Sequence, residues 1–131
     1  QSNGTNMVIA RTSVFDIADV DVACTGDEMA FDPTCGPGTG PEDPEQPGEL
    51  GKYLLLTYYT DVCHADPAVA AGTFTPQELA AVPFILGAIK PQSYRCFTVE
   101  LSLAPGVDWQ AVQSDRVTWR FRWDATLAPT P

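Results

Sequence analysis

The 131-residue sequence predicts an all-β fold with one short helix, and three observations carry that expectation. The first is strict alternation in residues 113–125, QSDRVTWRFRWDA, where Val117, Trp119, Phe121 and Trp123 interleave with Arg116, Thr118, Arg120 and Arg122. Successive strand side chains point to opposite faces, so this stretch has one aromatic face and one cationic face. A helix would scatter the same four apolar residues around its circumference. The second is the same period of two in residues 95–103, with Phe97, Val99, Leu101 and Leu103 set against Cys96, Thr98, Glu100 and Ser102. The third is the stretch 53–62, YLLLTYYTDV, apolar on both parities as a strand covered on both sides requires.

Taken in order, residues 1–6 are small and polar and read as a flexible head. Asn3-Gly4-Thr5 is an N-x-T acceptor for a glycan. Met7, Val8, Ile9 and Ala10 open an extended apolar segment, residues 7–14, that no turn joins to a preceding partner. Phe15 and Ile17 share one parity while Val20 and Val22 share the other, which predicts a bulge near Ala18-Asp19. Residues 24–51 hold five of the twelve Pro, six of the ten Gly and seven acids, a composition that reads as a solvated loop. Residues 65–72 read as a loop. Thr75-Pro76-Gln77-Glu78 has an N-cap Thr, Pro at the first helical position and Glu at the third, a capping box opening a helix over about 75–83. Phe84-Ile85-Leu86 is expected to pack behind that helix, and residues 87–93 to turn. The last five residues read as a disordered tail.

Composition bounds the function. The chain is long enough for one domain with its own core. It contains no run of eighteen apolar residues, so no membrane-spanning helix is expected. Its start at Gln1 is read as a processed terminus. Net charge is −10, of which residues 1–51 carry −9 (ten acids, Arg11) and residues 52–131 carry −1 (seven acids, six bases). Nucleic-acid binding needs a basic surface and is not expected. The charge asymmetry instead suits head-to-tail complementarity between copies. Cys24, Cys35, Cys63 and Cys96 form no CxxC pair, and His64 is the single histidine. Disulfides in an oxidising, extracellular compartment are therefore expected rather than a zinc site. The short loop 24–35, and two strand ends at Cys63 and Cys96, suggest the pairs Cys24–Cys35 and Cys63–Cys96. The acids of 24–51 lack the order of an EF-hand loop, and no HExxH, P-loop, GxGxxG or catalytic triad is present. No enzyme activity, metal or cofactor is expected.

Three segments together resemble the TasA/camelysin family of SipW-dependent secreted proteins. Phe15-Asp16-Ile17-Ala18-Asp19-Val20-Asp21-Val22 is similar to the family's opening T-F-x-A-G-T-L-D-L motif. Phe84-Ile85-Leu86-Gly87-Ala88-Ile89-Lys90-Pro91-Gln92-Ser93 is similar to its F…LG-x-L-x-P-G-x-S turn, and residues 113–125 to its closing Q-G-D-x-V-x-W-x-F-x-F-x-A strand. The likeness spans roughly 80 of the 131 residues, in the family's order, and the relationship extends to archaeal bundling pili. It implies a jelly-roll-like β-sandwich, residues 15–131, that serves as one subunit of an extracellular fibre. Its partners would be identical subunits, joined by donor-strand complementation through residues 1–14. Met7, Val8, Ile9 and Ala10 would then be the inserted contacts, with the larger pair, Met7 and Ile9, as pocket anchors. The alternative is a monomeric secreted sandwich that binds a glycan or protein through Trp109 and its loops.

Overall fold

A computed structural model describes residues 6–21, 50–61, 69–107, 112 and 115–129. It is an all-β sandwich of two three-stranded antiparallel sheets. Strand β1 (Val8–Asp21) lies between β4 (Phe84–Ile89) and β6 (Asp115–Leu127) in one sheet. Strand β2 (Leu54–Asp61) lies between β3 (Val69–Phe74) and β5 (Cys96–Leu103) in the other. Two short helices, α1 (Leu50–Tyr53) and α2 (Pro76–Ala81), complete the described elements. Only β2 and β3 are both consecutive in sequence and hydrogen-bonded neighbours. Every other pairing joins distant segments, so register is set by which side chains the core accepts rather than by a tight turn.

The core lies between the sheets. Val14 from β1, Leu56 and Tyr58 from β2, Leu79 from α2 and Leu86 from β4 form its buried cluster, with Phe74, Phe84, Phe97 and Trp119 packed around it. The Tyr58 ring is the hub, 5.6 Å from Phe84, and 6.4 Å from both Phe74 and Trp123. Helix α2 forms as its capping box dictates. The Thr75 hydroxyl accepts from the Glu78 amide at 3.2 Å, and the Thr75 amide donates to Glu78 Oε2 at 2.8 Å. That fixes the helix start and buries Leu79 over the core.

Several local expectations are corrected. Residues 69–74 form an edge strand, which takes over residues 69–72 of the expected loop 65–72; Ala and Gly hide it because the strand is largely exposed and pairs only with β2. Residues 84–89 form β4, so the turn expected over 87–93 begins only after Ile89. The strand's period is broken by a bulge between the Ala10–Gly87 and Arg11–Ile85 pairs, and by Gly87 at φ +118°, a conformation that favours glycine. The bulge in β1 falls between Phe15 and Ala18, upstream of its expected place, with Asp16 at φ 51°. Beyond it the core-facing parity changes from Ala10, Thr12 and Val14 to Ile17 and Asp19. The strand at the C-terminal end continues to Leu127, which faces Val8, and the Ala128 amide donates to the Met7 carbonyl at 2.9 Å.

Candidate functional site

The site suggested by sequence is the N-terminal strand, and the fold places it at the centre of a sheet. Val8 to Thr12 pair with β4 on one side, while Val8 to Phe15 pair with β6 on the other. Beyond the bulge, Ala18 to Asp21 pair with β6 alone. Strands β4 and β6 meet only through β1. Neighbouring strands stand about 4.8 Å apart, so the two flanking strands are held roughly 9–10 Å from each other across the slot that β1 fills.

Register decides which side chains enter. Thr12 is opposite Trp123 and Phe84, and Val14 is opposite Phe121, so the face bearing Ala10, Thr12 and Val14 points between the sheets. Thr12 is fully buried and its hydroxyl lies 3.3 Å from the Tyr58 hydroxyl. Burial raises the Tyr58 phenol above its ordinary pKa, and the bond to Thr12 opposes part of that rise. The larger pair, Met7 and Ile9, belongs to the other face; Met7 is exposed and Ile9 half-buried. The expectation that Met7 and Ile9 are the anchors is therefore corrected for the chain folded on itself. The core accepts the slimmer set because the space beside β1 is already filled by Tyr58, Phe84 and the indoles of β6.

The outer face of this sheet is polar and cationic. Arg116, Arg120 and Arg122 project from it along β6. Asp16, turned outward by the bulge, lies 3.5 Å from Arg120, an exposed pair with little energetic weight. The Arg122 guanidinium sits 5.2 Å from the centroid of Phe15, and Arg11 donates to the Thr126 hydroxyl at 2.9 Å. At the far end of β1, Asp19 Oδ2 accepts from the Gly51 amide at 2.7 Å and Asp115 Oδ2 accepts from the Leu50 amide at 2.8 Å. These two carboxylates hold the start of α1 against this end of the sheet. A Cβ at position 51 would collide with the Asp19 carboxylate, so only Gly permits this approach. Desolvation raises the Asp19 pKa, opposed by the Gly51 hydrogen bond and by the charge of Lys52. Its Oδ1 is buried without a hydrogen-bond partner among the described residues.

Cys96 opens β5 opposite Asp61 of β2 and is disulfide-bonded. Asn3, Cys24, Cys35, Cys63, His64, Trp109 and all but the last two residues of the acidic stretch 24–51 lie outside the described residues. Among the described residues no group of His, Cys, Asp and Glu is placed to hold a metal ion, and no helix is long and apolar enough to cross a membrane. An open apolar groove of about 520 Å³ runs between α2 and the start of β4, lined by Phe74, Val82, Phe84 and Ile85. Its one carboxylate, Glu78, is engaged in the helix cap. Sequence reading missed the slot itself. The nearest signal was the match in length between β1 and β6, both long strands with one polar face. No family model, no curated protein and no solved structure matches this chain.

Proposed function

We propose that this chain is a structural subunit of an extracellular filament, polymerising head to tail by donor-strand complementation with identical subunits. The observation that carries the reading is the place of β1. It is a central strand, it is the first of the described elements, and its two neighbours do not pair with each other. Withdrawing it leaves two facing rows of unpaired backbone groups and an open core, a vacancy shaped for an identical strand from another copy.

Connectivity favours exchange. β1 comes first among the described elements, and residues 22–49 separate it from α1. β1 is held between two strands over Val8–Thr12 and by β6 alone from Ser13 on, and the bulge at Phe15–Ala18 interrupts that single ladder. That bulge is the natural hinge for residues 1–14. A strand inserted into its own sheet and a strand inserted into the next subunit make the same contacts, so concentration and hinge strain decide between monomer and polymer. Because each insertion is directional, the joint is heterologous and grows without closing. The disulfide at Cys96 supports an oxidising, extracellular setting. The assigned role involves no catalysis, nucleic acid or cofactor.

Negative-stain microscopy with a truncation tests the reading. The full chain should form filaments as concentration rises. Deletion of residues 1–14 should leave a compact particle that no longer polymerises and that binds a synthetic 1–14 peptide. Normal filaments from the truncated chain, or uniform small particles from the full chain at every concentration, would reject the proposal.

A further inference from the structure

Strand β6 is an edge. Its inner side pairs with β1, and no strand pairs with its outer side among the described residues. The edge runs thirteen residues, and residues 120–127 are all exposed. Long exposed edges are normally blunted by a charge on the inward face, a proline or a short strand. Here the inward face carries Phe121 and Trp123, exposed by 40% and 53%, with Leu127 at the end. Leu101 and Leu103 of β5, an edge strand of the other sheet, are also exposed. Three of the ten exposed large apolar residues among the described ones therefore lie along the β6 edge.

We infer that two copies of this chain pair edge to edge through β6, antiparallel about a two-fold axis at Trp123, to form a continuous six-stranded sheet. Charge selects the occupant and the register. A two-fold pairing centred on residue n sets residue i against residue 2n − i. A centre between residues would set the cationic face against the aromatic one and is excluded. Centres at 118, 119 and 121 oppose Arg to Arg, centres at 120 and 122 set Arg120 or Arg122 against itself, and a centre at 124 sets Asp124 against itself. Like charges directly opposite are destabilising. A centre at 123 opposes Arg122 to Asp124 twice and Arg120 to Thr126 twice, with no like pair. On the apolar face it stacks Trp123 on its copy, sets Phe121 against Ala125 and brings Trp119 to Leu127. A centre at 125 also avoids like pairs, but it overlaps only about five residues and forms no ion pair. A second copy thus complements the edge in both charge and apolar surface.

This interface is distinct from insertion of β1, so the test uses full-length chain with β1 locked in its own sheet. Ala10 and Ala125 face each other in the ladder, and Ala10→Cys with Ala125→Cys provides the lock. Sedimentation velocity should show the locked chain in a concentration-dependent monomer–dimer equilibrium. Arg122→Asp should weaken the dimer about tenfold or more by opposing two acids, and Arg122→Asp with Asp124→Arg should recover most of it. In the unlocked chain, Trp123→Cys should give a covalent dimer on mild oxidation, while Trp119→Cys, roughly 27 Å from its copy at about 3.4 Å per residue, should not. A locked chain that stays monomeric, a dimer indifferent to Arg122→Asp, or crosslinking at 119 rather than 123 would overturn the inference. A locked monomer beside unlocked filaments removes edge pairing alone. A locked dimer without unlocked filaments removes the donor-strand reading alone.

Discussion

Replacing Thr12 by Asp should damage this protein far more than replacing Ile9 by Asp, although Ile9 is the larger and more apolar residue. Thr12 is fully buried between the sheets and Ile9 is half-buried on the outer face. A carboxylate at position 12 enters a site bounded by Tyr58, Phe84 and Trp123, where the Tyr58 hydroxyl is the one evident donor. Desolvating an ion costs several kcal/mol even after relaxation, and one hydrogen bond to a charged group returns about 1.5–3 kcal/mol. The net cost is about 3–5 kcal/mol, a large share of the 5–15 kcal/mol that holds a typical domain. Ile9→Asp forfeits about half of the 1.5–3 kcal/mol of a fully buried apolar side chain, with a small loss of strand propensity, so about 1–2 kcal/mol. Urea unfolding of dilute monomer, followed by tryptophan fluorescence, measures both. An acid titration adds a signature. The introduced carboxyl at 12 has a folded pKa raised above its unfolded value, so its cost shrinks as pH falls from neutral through that folded pKa. The Ile9 variant should show no comparable recovery. If Ile9→Asp proved the more destabilising, the opposite face of β1 would be the one entering the core, and the register drawn here would be wrong. If the strand passes between copies the pockets are unchanged, so filament yield should follow the same ranking.

Further outcomes are expected. A non-reducing peptide map should show Cys63–Cys96 and Cys24–Cys35, the first because β2 and β5 bring Asp61 opposite Cys96; any free thiol or other pairing rejects this. Thr75→Ala removes the hydroxyl half of the capping box, leaving the backbone amide of residue 75 to donate to Glu78, and should cost about 1 kcal/mol, read as a lower urea midpoint with unchanged slope. Asp19 has its folded pKa raised by burial, so its contribution to stability is fully present below the unfolded pKa and lost as pH rises through the folded one. Asp19→Asn keeps an oxygen for the Gly51 amide and should remove that dependence. The variant's stability relative to the natural chain should be higher at pH 7 than at pH 4, and equal gaps at both would refute the assignment. In the native producer Asn3 should carry a glycan, which intact-mass spectrometry checks directly.

The fold class was legible because strict alternation leaves few alternatives. Residues 115–123 and 96–103 put aromatic or aliphatic groups at every second position, and those stretches are β6 and β5. The helix was legible from four residues, since a capping box acts within one turn and needs no tertiary partner. Edge strand β3 was not legible, since VAAGTF has little intrinsic preference and takes its conformation from the β2 ladder. Strand β4 was obscured by its bulge and by Gly87, which break the period that a pattern search relies on.

For the candidate site, sequence alone determined that residues 7–14 are extended and apolar and that Val8, Ala10 and Thr12 share one face while Met7, Ile9 and Arg11 share the other. Side-chain period dictates that much. Which face is buried was decided only by tertiary structure. Size favoured Met7 and Ile9, but the sheet opposite supplies a hydroxyl at Tyr58 and bulky rings on either side, so the position nearest them takes a small residue with a hydrogen-bonding group. The central place of β1 was likewise decided only in three dimensions. A strand's own residues state that it needs partners, whereas the residues of β4 and β6 that pair with it lie more than seventy positions away, and nothing local to β1 encodes that they flank it without touching each other.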